Sequence, residues 1–144
     1  MSVILVTGSS TGIGQETALH MARKGHDVYA AVRSPDTATE LKEKIGAESM
    51  PVTVIKLDLV DPASIETAVK AIMQRSGRID ALVNNAGIGG GRAVEETEIE
   101  EVREIFETNY FGNVNVLRAV TPIMRKQKAG RIVTVGSLAG RVVM

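Results

Sequence analysis

Apolar residues fall along this chain in short, nearly unbroken runs, separated by stretches where they recur at helical spacing. The runs are Val3 to Val6, Val28 to Val32, Val52 to Leu57, Ala81 to Val83 and Ile132 to Val135. A strand with one wet face alternates apolar and polar side chains, whereas a strand covered on both faces does not. Five such runs predict five buried parallel strands. Residues from about Gly12 to Arg23 read as the first helix, with Gly25 just past its end. Ser34-Pro35 opens the second, because proline presets φ at a first helical position. Asp61-Pro62 opens the third, where Ile65, Ala68, Val69, Ile72 and Met73 form one apolar stripe and Gly77 marks the end. Thr97 followed by Glu100 has the spacing of a capping box. It starts a long region with Ile99, Val102, Ile105, Phe106, Tyr110, Val114 and Leu117 facing inward, and Gly112 and Pro122 as points of breakage or bending.

Strands alternating with helices predict an α/β fold. Right-handed crossovers leave few topologies, and a doubly wound sheet in the order 3-2-1-4-5 is the expectation. Its ligand crevice would lie at the carboxyl ends of the first and fourth strands, where the winding reverses. The 144 residues suit one domain, with no repeat, low-complexity segment or linker.

Composition narrows the partners. The 17 basic and 17 acidic residues balance, which gives no electrostatic reason to expect nucleic acid. There is no cysteine, so thiolate metal sites and disulfides are excluded, and two histidines, His20 and His26, make a histidine metal site unexpected. No targeting pattern precedes the first strand, and no apolar run approaches a membrane span. A cytoplasmic protein with no membrane partner is the expectation.

Thr7-Gly8-Ser9-Ser10-Thr11-Gly12-Ile13-Gly14 lies between the first strand and the first helix. Glycines let the backbone turn tightly and approach a ligand, and a helix start offers unpaired N–H groups with a partial positive charge. The bland alternative is a structural glycine turn. The spacing is G-x-x-x-G-x-G rather than G-x-G-x-x-G. Further marks follow in order: Leu57-Asp58-Leu59 after the third strand, Asn84-Asn85-Ala86-Gly87 closing the fourth, Asn109 within Glu107 to Gly112, and Gly130 to Ser137 around the fifth.

Together these marks resemble the short-chain dehydrogenase/reductase family, over the whole chain. The resemblance implies a Rossmann-type three-layer αβα sandwich, truncated after strand five, with residues 1–144 as a single NAD(P)-binding domain that is C-terminally incomplete. It implies that Gly8, Ser10, Gly12, Ile13 and Gly14 hold a pyrophosphate. Asp58 would accept from the adenine amino group, helped by the Leu59 N–H, and the backbone of Asn85, Ala86 and Gly87 would flank the adenosine ribose. Asn109 would hold a water linking the active site to solvent, and Ser137 would donate to the substrate oxygen as negative charge develops. Plainer readings stand beside these: a helix cap for Asp58, a strand tie for the asparagines, a satisfied helix kink for Asn109 and a strand-end cap for Ser137.

The end of the second strand bears on the cofactor. Members of the family that use NAD(H) would place an acidic side chain there; this chain has Val32 and then Arg33. A guanidinium matches a phosphate bidentately, so NADP(H) is favoured over NAD(H). The family's other common basic position, before the second glycine, holds Thr11. The family's acid/base is a Tyr-x-x-x-Lys pair about a dozen residues beyond the serine, and Met144 is seven residues beyond Ser137. Tyr29 and Tyr110 are the only tyrosines, and neither has the lysine. The expectation is an oxidoreductase acting on an alcohol or carbonyl, with negligible turnover from these 144 residues alone, and a fifth strand left as an exposed apolar edge. Glu107 to Gly112 and Val135 to Gly140 look like the hydroxysteroid and retinol dehydrogenase branch. The family resemblance implies a homo-oligomer paired through the long fourth helix. The competing readings are a non-catalytic dinucleotide-binding module and a nucleoside-binding methyltransferase. Retention of Asn109 and Ser137 counts against the first, and Val32-Arg33 with the N-N-A-G motif against the second.

Overall fold

The computed structural model describes residues 1–90 and 92–140. Gly91 and the last four residues of the expected domain lie outside the described residues. The five apolar runs form the strands β1 (Val3–Thr7), β2 (Asp27–Val32), β3 (Val52–Lys56), β4 (Ala81–Asn84) and β5 (Arg131–Thr134). All pairings are parallel, and the order is β3-β2-β1-β4-β5, as the crossover rule predicted. Register is direct, with Leu5 opposite both Tyr29 and Leu82.

Side chains of β1 alternate between two cores, which is why its run is unbroken. Val3 and Leu5 join Tyr29, Leu82, Ile65, Ile72, Val116 and Val120 on one face. Ile4 and Val6 join Val28, Val83, Leu19 and Leu41 on the other. The first face is covered by α3 (Pro62–Ser76) and by α5 (Asn113–Gln127), the second by α1 (Gly12–Arg23) and α2 (Thr39–Glu48). At about 1.5–3 kcal/mol for each large aliphatic side chain removed from water, these two layers drive the fold. Strand β5 differs: its residues are exposed, and Ile132 and Val133 face solvent. Among the described residues it pairs with β4 alone and forms the sheet edge.

Three local expectations need correction. Ser34-Pro35 opens a short 3-10 turn, Pro35–Thr37, and α2 begins only at Thr39. Thr97 does not cap: its hydroxyl donates back to the Ala93 carbonyl at 2.8 Å, closing the turn before the helix, and α4 (Ile99–Phe106) starts from Glu98 without a side-chain cap. The long helical region is not one inward stripe. A π-helical turn over Glu107–Gly112 joins α4 to α5. The wider turn shifts the phase of every later side chain. Gly112, Val116, Val120 and Met124 face the core, while Ile99, Phe106 and Tyr110 are more than half exposed.

Gly112 fits this bend because it lies flat on Leu59. An added Cβ would come within 2.7 Å of the Leu59 Cβ and 2.9 Å of its carbonyl oxygen. The Gly112 expected as a breaking point therefore locates the π-turn against the end of the third strand's loop.

Candidate functional site

The site begins with a threonine at the end of an apolar strand. Thr7 is fully buried. Its hydroxyl accepts the N–H groups of Asn85 and Ala86, each at 3.0 Å, and lies 3.5 Å from the Val83 carbonyl. One side chain thus ties the end of β1 to the segment leaving β4. Asn85 returns the tie through Nδ2, which donates to the Thr7 and Gly8 carbonyls at 3.0 and 3.2 Å.

Gly8 then turns the chain with φ +67, and Gly12 opens α1 with φ +58. Both values lie in the left-handed region that L side chains rarely adopt. Gly8 also presses on the opposite segment: a Cβ there would sit 2.7 Å from the Ala86 Cα. Gly14 is held as tightly, against the Gly8 carbonyl oxygen and Asn85 Nδ2. Between them, Ser9 is buried, with its hydroxyl on the Val6 carbonyl at 2.8 Å and its N–H on the Ala31 carbonyl at 3.0 Å. Gln15 donates to the Ser10 carbonyl at 3.1 Å and accepts Lys44 Nζ at 3.0 Å. The first turn of α1 contains no acidic side chain, and its leading N–H groups have no intrahelical partner.

This corner is one wall of a cleft of about 550 Å³ at the carboxyl end of the sheet. Gly8, Ser10 and Ile13 line it, with Asn85, Ala86 and Gly87 opposite and Arg33, Asp58 and Leu59 along the side. These nine expected residues from four strand ends converge on one space. Gly12 and Gly14 shape the corner without lining it. Arg33 is exposed and has no ion pair or side-chain hydrogen bond among the described residues. Asp58 commits one oxygen locally, accepting the Val60 N–H at 3.2 Å, and its own N–H donates to Ser64 at 3.0 Å.

Asn109 and Ser137 are not cleft-lining residues. Asn109 stands on the π-turn and clamps Ile88: Oδ1 accepts its N–H at 2.8 Å and Nδ2 donates to its carbonyl at 2.7 Å. Ser137 lies just past β5, at the end where Val135 donates to the Asn84 carbonyl at 3.0 Å, so it shares the carboxyl end of the sheet with the cleft. The tyrosines lie elsewhere: Tyr29 is buried, with its hydroxyl on Ser76 at 2.7 Å, and Tyr110 is exposed.

Sequence reasoning did not single out Thr7 as a tie, nor Glu104 of α4 and Glu107 and Thr108 of the π-turn, which line the cleft. A lone hydroxyl at the end of an apolar run was the available signal for Thr7. Asn113 was also missed, one helical turn beyond Asn109. The Oδ1 atoms of Asn84 and Asn113 are buried and receive no hydrogen bond from the described residues. No group of three metal-ligating side chains occurs among the described residues, and none of their helices is long and apolar enough to cross a membrane.

Comparison with known proteins agrees with this geometry. The family model described as short chain dehydrogenase matches residues 2–144. The chain is 40% identical over 138 residues to a 3-ketodihydrosphingosine reductase of Bacteroides thetaiotaomicron, covering 96% of this chain and 48% of that protein. It is 37% identical over 142 residues to dehydrogenase/reductase SDR family member 7 of Mus musculus, covering 96% and 42%. A crystal structure of an actinorhodin polyketide ketoreductase variant with NADPH superposes with a TM-score of 0.92 at 31% identity, covering 99% of this chain and 56% of the other. The chain spans about half the length of these curated relatives.

Proposed function

The chain belongs to the short-chain dehydrogenase family, and from that premise we propose that residues 1–144 act as one dinucleotide-binding domain of an oxidoreductase that moves hydride between NADP(H) and a small alcohol or carbonyl substrate. The observation that carries this reading is the corner of the cleft. Gly8 has no room for a Cβ against Ala86, and the start of α1, whose leading N–H groups have no intrahelical partner, borders the same space through Ile13. That is a fit for a diphosphate, which needs close backbone approach and positive potential but no bulky wall.

Bound there, the cofactor would give or take a hydride at its nicotinamide. The chain's own residues do the rest. Gly8, Ser10, Gly12, Ile13 and Gly14 form the diphosphate corner. Asp58 accepts from the adenine amino group through the carboxylate capacity that Val60 does not use, with the Leu59 N–H beside it. The backbone of Asn85, Ala86 and Gly87 flanks the adenosine ribose. Asn109 retains one Nδ2 hydrogen and one Oδ1 lone pair beyond its clamp on Ile88, enough to hold a water. Ser137 donates to the substrate oxygen and stabilises the charge that develops on it.

Arg33 supports NADP(H) over NAD(H). It lines the cleft beside Val32, has no carboxylate partner among the described residues, and leaves no acidic side chain at the end of β2 to repel a phosphate. The similar ketoreductase crystallised with NADPH is consistent with that choice. Titration of the protein with NADPH, NADH and S-adenosylmethionine tests the reading: tight NADPH binding is expected and no S-adenosylmethionine binding. Arg33→Ala is expected to weaken NADPH by about 1.5–3 kcal/mol, the scale of a hydrogen bond to a charged group, and to leave NADH nearly unchanged. Equal losses for both would refute the assignment. We also propose a cytoplasmic location and a homo-oligomer, the latter supported by the exposed Phe106, Tyr110 and Phe111 along the α4–α5 ridge.

A further inference from the structure

One side chain bridges two backbone segments at the end of the cleft nearest Asn109. Asn113, the first residue of α5, donates through Nδ2 to the Ala86 carbonyl at 3.2 Å and to the Asn109 carbonyl at 2.8 Å. Its own carbonyl accepts Asn84 Nδ2 at 3.3 Å. Two carbonyl partners fix the orientation of the amide, because only its NH2 end donates. The backbone at the end of the π-turn shows why a side chain serves here. An α-turn would send the Asn113 N–H to the Asn109 carbonyl, but in this structure it is directed at Tyr110. The Asn113 amide supplies the donor instead, and with its second hydrogen reaches the floor of the cleft.

The β4–α4 segment is therefore stitched from two sides. Thr7 holds the N–H groups of Asn85 and Ala86. Asn109 holds Ile88, and Asn113 holds Asn109 to Ala86. We infer that Asn113 is a positioning residue for the site proposed above: its two donations set where Asn109 stands over Ala86 to Ile88, the segment that lines the cleft. This rests on the oxidoreductase reading for its effect on turnover, and on geometry alone for its effect on the segment.

Two measurements on Asn113→Asp test it. The replacement keeps the shape, but an ionised carboxylate cannot donate and faces two carbonyls. In nucleotide-free protein, amide hydrogen exchange at Ile88 is expected to accelerate about tenfold, the worth of one net hydrogen bond, while Asn85 and Ala86 stay within about twofold because Thr7 still holds them. In a longer protein that carries this domain together with the Tyr-x-x-x-Lys pair, kcat with NADPH and a carbonyl substrate is expected to fall about tenfold with NADPH affinity nearly unchanged, and to recover as falling pH protonates the carboxyl and restores one donor. Asn113→Ser, which keeps a single donor and no charge, should fall between. Unchanged Ile88 exchange, or equal acceleration at all three amides, would overturn the inference. Absence of nucleotide binding in the unaltered protein would overturn the oxidoreductase reading, and the exchange measurement would still decide the role of Asn113.

Discussion

Three glycines in the corner separate two physical costs, and replacing each by alanine measures them. At Gly12 the backbone is left-handed, φ +58, but a Cβ meets nothing within 4 Å. The cost is conformational, about 1–2 kcal/mol, partly offset by about 0.4–1 kcal/mol from a stiffer unfolded chain. At Gly14 the backbone is helical, yet a Cβ would overlap the Gly8 carbonyl oxygen and Asn85 Nδ2. There the cost is overpacking, about 1–3 kcal/mol, with the same offset. At Gly8 both apply: φ is +67, and the Cβ would lie 2.7 Å from the Ala86 Cα, a backbone atom that cannot rotate away. Equilibrium urea unfolding should rank the variants, with Gly12→Ala losing about 1 kcal/mol and Gly8→Ala about 2–4 kcal/mol. Nucleotide titration should follow a different order. Gly8→Ala and Gly14→Ala push apart the two walls of the cleft and should lose most affinity, while Gly12→Ala, whose Cβ meets nothing within 4 Å, should retain most. Equal destabilisation at Gly8 and Gly12, or a neutral Gly14→Ala, would refute the idea that close approach rather than backbone freedom dominates this corner.

Thr7→Val keeps the shape but leaves the Asn85 and Ala86 N–H groups without their acceptor, at about 1–3 kcal/mol for each; Thr7→Ser should be close to neutral by the same unfolding assay. At Asp80, burial pushes the carboxyl up, but hydrogen bonds from Arg78 and the Val3 N–H, with the charge of Arg78, outweigh it and hold the group below the usual carboxylate range. A depressed native pKa contributes stability that is present above the unfolded value, about 3.9, and lost as pH falls through the native one. Unfolding free energy measured from about pH 5 down to pH 2 should therefore fall less steeply in Asp80→Asn than in the unaltered protein. Phe106→Glu removes an exposed aromatic from the α4–α5 ridge. Sedimentation should show a smaller assembly with NADPH affinity unchanged, and an unaltered mass would remove that face as the pairing surface.

Much of this protein was legible in its sequence because the relevant physics is local. Unbroken runs such as Val3 to Val6 arise from strands covered on both faces, so they announced a parallel sheet, and the handedness of crossovers left little choice of order. The glycine corner could be read from its place between a strand and a helix, whereas Asp58 and Asn85 to Gly87 were singled out by the family resemblance. Reading failed where the outcome depended on distant contacts. The stripe from Ile99 to Leu117 has helical spacing, but its phase was set by a π-turn at Glu107–Gly112 that fits Gly112 against Leu59, far away in sequence. Thr97 had the spacing of a cap, but its hydroxyl found the Ala93 carbonyl first. Asn113 looked like one polar residue in a helix, and only packing revealed the two carbonyls it serves. Sequence by itself thus determined the layers, the strand order and the place of the cleft, since burial and chain handedness act on every residue in turn. Tertiary structure alone decided which hydroxyls and amides hold the walls of that cleft together, because a hydrogen bond is specified by where two groups meet and not by what precedes them in the chain.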